Sequence, residues 1–174
     1  MFEWIKEILV TFIDYLKFWV LVNSYEQVII LRNGNFNRLL LPGLYMKWPL
    51  IEYSIIILVK TDTKEYEPIA ITTLDGKTIS IGLEIEYDIF DCVKFALEVN
   101  DAASNMKDIA RAEMSDYLED VNWVDIKKKT TKNALKKILI LRYEEMGIRL
   151  KDLKFTNKSE SKVYRIFSDK ENIY

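Results

Sequence analysis

"TLDGKTISIGLEIEYDI", residues 73–89, decides the fold. Asp75-Gly76 is a hairpin-turn dipeptide. Beyond it Ile79, Ile81, Leu83, Ile85, Tyr87 and Ile89 occupy every odd position, while Ser80, Glu84, Glu86 and Asp88 occupy the alternate face. A period of two over this length predicts an antiparallel strand with one face in a core and the other toward water.

The residues before this strand also read as sheet. Tyr25–Arg32 is rich in Val and Ile and ends at Asn33-Gly34, a type I′ hairpin signal. Phe36–Leu41 is the returning arm, Pro42-Gly43 the next turn, and Leu44–Trp48 leads to Pro49. Tyr53–Val59 is a nearly continuous apolar run, and Glu65–Thr73 a further strand whose Pro68 argues for an edge or an irregularity.

The residues after it read as helices. Asp91 is placed to cap a short helix through Val99. Asp101 starts another through about Leu118, with Met106, Ile109, Ala110, Met114 and Tyr117 along one side. A third is predicted over Val124–Met146, with Ile126, Ala134, Ile138 and Leu141 inward, ended by Gly147. Ile148–Phe155 is a last strand, and its apolar residues at 148, 150, 153 and 155 change phase, which predicts a bulge. Strands, then helices, then a returning strand define an α+β domain: a twisted, mainly antiparallel sheet with helices packed on it.

Composition narrows the function. The 174 residues include 49% hydrophobic and 30% charged types, enough for a real core, and a net charge of −2 gives no global mark of a nucleic-acid binder. One cysteine, Cys92, forbids an intrachain disulfide. No histidine is present, which removes the commonest general base, the usual triads and most zinc sites. No cofactor and no metal is expected, and the chain does not read as an enzyme.

The opening "MFEWIKEILVTFIDYLKFWVLV", residues 1–22, is apolar and aromatic but carries Glu3, Lys6, Glu7, Asp14 and Lys17. Those charges interrupt what a spanning helix needs, about 20 predominantly apolar residues, and a signal peptide fits no better. On a helix the polar residues fall within an arc of roughly 140°. Phe2, Trp4, Ile5, Ile8, Leu9, Phe12, Ile13, Leu16 and Trp19 fall on the remaining face, and Phe18, near the edge of the polar arc, is counted with them as a membrane-binding candidate. This predicts an amphipathic helix that lies in a membrane interface, packs on protein, or spans at a tilt.

In order, these pieces resemble the stomatin, prohibitin and flotillin superfamily, the SPFH (Band 7) domain. The matching residues are Tyr25-Glu26-Gln27-Val28-Ile29-Ile30-Leu31-Arg32 with Gly34; Leu41-Pro42-Gly43-Leu44-Tyr45 with Pro49; Asp62-Thr63-Lys64; Thr73-Leu74-Asp75-Gly76 with the long strand; and Gly147-Ile148-Arg149-Leu150-Lys151-Asp152-Leu153. Members commonly carry a membrane-attached segment just before the opening strand. The resemblance therefore implies three parts: a membrane-anchoring helix over 1–22, the SPFH-like domain over 23–156, and a short tail over 157–174. It also implies a peripheral or monotopic scaffold on the cytoplasmic side of a membrane. Such a scaffold binds lipid, forms homo-oligomers and modulates membrane proteins, including membrane proteases. The long coiled coil through which members assemble has no counterpart in 157–174, where no heptads run, so domain contacts or the first helix would carry assembly. The alternative is a soluble regulatory module whose N-terminal helix docks on a partner protein.

Other constellations have plainer readings. Lys127, Lys128, Lys129, Lys132, Lys136 and Lys137 could meet anionic head groups or nucleic acid, but charge at helical spacing is ordinary solvated surface, and no nucleic-acid partner is expected. Glu84, Glu86, Asp88 and Asp91 could bind a hard cation, but read as an exposed sheet face. Cys92 has no histidine to activate it. Tyr45, Trp48 and Tyr53, around Pro49, form a candidate second membrane edge or else part of the core.

Overall fold

The computed structural model describes residues 18–160, together with Glu3 and Glu7 of the opening stretch, both helical and exposed. The apolar positions from Phe2 to Leu16 lie outside the described residues.

The first half of the fold is built from five strands: β1 (Trp19–Val22), β2 (Glu26–Arg32), β3 (Asn35–Leu40), β4 (Gly43–Met46) and β5 (Glu52–Leu58). β2 is the centre of a three-stranded antiparallel sheet, between β3 and β5, and β1 and β4 form a separate antiparallel ribbon. The Asn33-Gly34 turn joining β2 to β3 has positive φ at both residues, 52° and 81°, as its sequence predicts.

β1 corrects the expectation of a helix reaching Val22. Trp-Val-Leu-Val is β-branched and aromatic, it alternates exposed and buried side chains, and β4 supplies its hydrogen-bond partner. Phe18 and Trp19 are therefore not on a helical face. Phe18 precedes the ribbon, where its carbonyl accepts from the Lys47 N–H at 2.7 Å.

The second half contains β6 (Asp62–Thr72), β7 (Thr78–Ile89) and β8 (Ile148–Glu160), with β7 in the middle. The odd residues of β7 from Ile79 to Tyr87 are buried, as the alternation requires. β6 lies at the sheet edge and its register slips between Tyr66 and Ile69, so Pro68 sits where no ladder donor is missed. The expected bulge in the last strand is real: Asp152 faces Glu86 and Leu150 faces Tyr87, leaving Lys151 as the extra residue.

A π-helical turn at Lys94–Glu98 follows β7, its approach held by the Asp91 carboxylate, which accepts from the N–H groups of Val93 and Lys94. Three helices then cover the sheet: α1 (Ala102–Glu119), α2 (Trp123–Ile126) and α3 (Lys129–Glu145). The third predicted helix is thus two, broken by the extended backbone of Lys128. The break resets the helical phase. The inward stripe of α3 is Thr131, Leu135, Leu139 and Tyr143, rotated from the expected Ala134, Ile138 and Leu141, and Leu141 is exposed.

Three apolar clusters result. The largest joins β6, β7 and β8 to α1, α2 and α3, and includes Ile81, Leu83, Ile85, Met106, Leu118, Leu135 and Tyr143. A small one lies between the ribbon and β2: Val20, Val22, Val28, Ile30 and Leu40, with Tyr45 packed against it. The third joins the two halves, with Ile29 and Ile57 meeting Cys92 and its neighbours. Long-range polar ties reinforce this. The Thr73 hydroxyl donates to the Asp75 carboxylate, which accepts from the Trp123 N–H at 3.2 Å, so the β6–β7 turn also fixes the start of α2.

Candidate functional site: an exposed apolar face

The ribbon has apolar residues on both faces. Its inner face, Val20, Val22 and Tyr45, covers the small cluster. On its outer face the cross-strand partners Trp19–Met46 and Leu21–Leu44 form a quartet. These four are 62%, 53%, 66% and 63% exposed in that order. Directly opposed apolar side chains on a strand pair form one continuous surface.

The chain then continues through Lys47 into a second apolar group. Trp48, Leu50, Ile51 and Tyr53 are all exposed, Leu50 at 87%. Among the described residues, most of the large apolar side chains exposed to solvent lie between Phe18 and Leu58, while the helical half contributes only Leu74, Phe90, Leu97, Val124 and Leu141. Scattered apolar residues are normal on any surface, so it is this concentration in one half that makes it the candidate surface.

A buried carboxylate organises the second group. Glu52 is 4% exposed. Its Oε2 accepts from the Trp48 N–H at 3.0 Å, and its Oε1 accepts from Arg32 Nη2 at 2.8 Å and from Asn37 Nδ2 at 3.3 Å. Arg38 Nη2 lies 3.5 Å from Oε2 and also donates to the Met46 carbonyl at 2.8 Å. Burial alone would raise the Glu52 carboxyl, but the Trp48 N–H, the Arg32 hydrogen bond and the two arginine charges outweigh it and hold it below its ordinary range. The 48–52 turn is closed by the Glu52 N–H donating to the Trp48 carbonyl at 2.8 Å. The loop that presents Trp48 and Leu50 is thus fixed at its base.

Of the residues singled out for a second membrane edge, Trp48 and Tyr53 are exposed, whereas Tyr45 turns inward. The structure does not bring Tyr45 to the surface because β4 places it on the opposite face from Leu44 and Met46. Leu21, Leu44, Met46 and Leu50 escaped the sequence reading. Their signal was available: two four-residue strands with apolar residues on both faces have more apolar surface than one core covers.

The remaining candidates take structural roles. Glu84 pairs with Lys154 at 2.8 Å and Asp88 with Lys151 at 3.2 Å, so the acidic row of β7 is matched by lysines of β8. Cys92 is buried in the joint between the halves, and its thiol is pushed up to about 11, chiefly by burial and then by Asp91. Among the described residues no group of His, Cys, Asp and Glu could hold a metal ion, and no helix is long and apolar enough to cross a membrane.

The fold is α+β: a helix-covered three-stranded sheet, a second three-stranded sheet, and a two-stranded ribbon whose outer face is apolar and exposed. Residues 20–170 match the family model described as SPFH domain / Band 7 family, and the chain belongs to that family. Proteins of this family are membrane-associated. The chain is 32% identical over 117 residues to Protein HflK of Borreliella burgdorferi, covering 58% of this chain and 38% of that protein. It is 24% identical over 133 residues to an uncharacterised protein of Archaeoglobus fulgidus, covering 71% and 53%. An uncharacterised protein of Methanocaldococcus jannaschii is 23% identical over 133 residues, covering 75% and 67%. The chain therefore spans about 38% to 67% of the length of these relatives.

Proposed function

We propose that this chain is a non-enzymatic, membrane-peripheral scaffold that self-associates on a bilayer and modulates membrane proteins, membrane proteases among them. The carrying observation is the outward quartet of Trp19, Leu21, Leu44 and Met46, with Trp48, Leu50 and Tyr53 of the same half also exposed. Tryptophan and tyrosine beside aliphatic side chains suit the bilayer interface. Residues 1–17 add an amphipathic anchor through Phe2, Trp4, Ile5, Ile8, Leu9, Phe12, Ile13 and Leu16, and that anchor ends before β1. The cytoplasmic face is the proposed location. The similarity to a protein named HflK supports a place among membrane-bound regulators.

The test is co-sedimentation of the full chain with neutral vesicles, beside a Leu21→Glu/Leu44→Glu variant and with mass followed by light scattering. The quartet faces outward, so the variant keeps its fold. Placing two carboxylates in the interface weakens partitioning by at least about tenfold. Unchanged partitioning of the variant refutes a lipid contact at this face. If neither protein binds vesicles and only the wild type forms a defined oligomer, the face is a protein interface and the docking-module alternative replaces the scaffold.

A further inference from the structure

The lysine-rich stretch acquires two members that the sequence did not group with it. Lys127, Lys128, Lys129 and Lys132, from the α2–α3 junction and the first turn of α3, line a cleft of about 190 Å³ together with Lys154 and Lys158 of β8. Ile126 and Phe155 complete the lining. The cleft is well above the ~30 Å³ share of one water molecule.

Among the described residues, three of these six cations have carboxylate partners. Lys128 pairs with Asp125 at 2.6 Å, Lys132 with Asp152 at 3.0 Å and Lys154 with Glu84 at 2.8 Å. Asp152 is further shared with Lys136. Among the described residues Lys127, Lys129 and Lys158 have no acidic partner. Lys127 Nζ sits 5.0 Å from the Trp123 ring and Lys158 Nζ 5.3 Å from the Phe155 ring. The first turn of α3 contains no acid and no side-chain cap, so the lysines there also oppose the helix dipole. Two separate elements thus converge an excess of positive charge on one cleft, an arrangement that an anion relieves.

The geometry points to a phosphate-binding site in this cleft, with Lys127, Lys129 and Lys158 as the cations left for the ligand. The phosphate belongs either to the head group of an anionic lipid or to a soluble phosphate compound. The site is independent of the scaffold reading, because none of its residues belongs to the first five strands.

Calorimetric titration of the full chain with inorganic pyrophosphate tests the site. A Lys129→Glu/Lys158→Glu variant should bind at least about tenfold more weakly, with affinity in the wild type falling as salt rises. Lys137→Glu, an exposed change on the same helix outside the cleft, should bind like the wild type. Circular dichroism melts establish that each variant is folded, and Lys158→Gln replaces the double variant if that one is not. Vesicles of phosphatidylcholine with and without phosphatidylglycerol separate the sources. A gain on the anionic vesicles that the double variant loses assigns a lipid head group. Pyrophosphate binding with no such gain assigns a soluble phosphate compound. Absence of saturable binding to the wild type, or an equal loss in Lys137→Glu, overturns the site. A single-stranded RNA that displaces pyrophosphate with a much steeper salt dependence overturns it in favour of nucleic acid.

Discussion

Glu52→Gln isolates the device that holds the Trp48 loop. The amide keeps nearly the same shape and can still accept from the Trp48 N–H, but it loses the charge that attracts Arg32 and Arg38. Hydrogen bonds to charged groups contribute about 1.5–3 kcal/mol where both partners are buried. Here the carboxylate is buried while the Arg32 and Arg38 side chains are 47% and 44% exposed, so solvent screening reduces the ion-pair part. A loss of about 1–2 kcal/mol is expected, which for a chain of this size lowers Tm by roughly 2–8 °C. The pH dependence is the sharper test. The folded Glu52 carboxyl lies below its unfolded value of 4.5. Its charge therefore stabilises the fold fully above about pH 4.5 and progressively less as pH falls through the lower folded value. Urea melts of wild type and variant from neutral to acidic pH should show a gap that closes as pH drops below that range. A gap absent at pH 7, or one that persists undiminished in acid, refutes the assignment of the carboxylate as the organiser of this loop.

One substitution and one labelling experiment bear on the joint between the halves. Gly147 has a φ of 76°, and a Cβ there would strike the Asp91 carbonyl, whose own and preceding N–H groups both donate to Gly147 O. Gly147→Ala should cost about 2 kcal/mol or more, measured by denaturant unfolding, and a neutral result would mean the strand end shifts freely. The Cys92 thiol is buried with its ionisation pushed up to about 11. Ellman's reagent should label it only on unfolding, at a rate that tracks denaturant concentration, and rapid labelling of the native chain would show the joint to be open.

Most of the helical half was legible in sequence. The β7 alternation, the bulge at Lys151 and the inward Met106–Ala110–Met114 stripe each follow from local periodicity and match the structure, and a turn does fall at Asp75-Gly76, where Gly76 alone of the two has positive φ. Two misreadings have one physical origin, competition between a local pattern and a tertiary partner. Trp19–Val22 continues the preceding helical pattern, yet β4, some 20 residues later in sequence, claims its backbone. The phase of α3 was misjudged because nothing in Lys127-Lys128-Lys129 announces a break: lysine is a fair helix former, and the interruption comes from docking Ile126 into the main core. The Glu52 knot was illegible for the same kind of reason, since its partners Arg32, Asn37 and Arg38 meet it only after β2, β3 and β5 are paired.

Apolar surface is distributed unequally between the two halves of the fold. The helical half encloses its core on both sides: β7 is flanked by strands, and α1 and α3 cover one face, so stability there is self-contained. The first half is built differently. Its own cluster has five buried residues, and the ribbon that closes this cluster presents Trp19, Leu21, Leu44 and Met46 outward against Val20, Val22 and Tyr45 inward. Among the described residues nothing covers the outer quartet, so a partner that binds it adds to the stability of the native state by mass action. The helix-covered half is tied through Ile29, Ile57 and Cys92 to a half with the smaller core. The Glu52 cluster follows from the same need: with so few buried apolar residues in this half, a buried charge with several donors holds the Trp48 loop where packing alone would leave it loose.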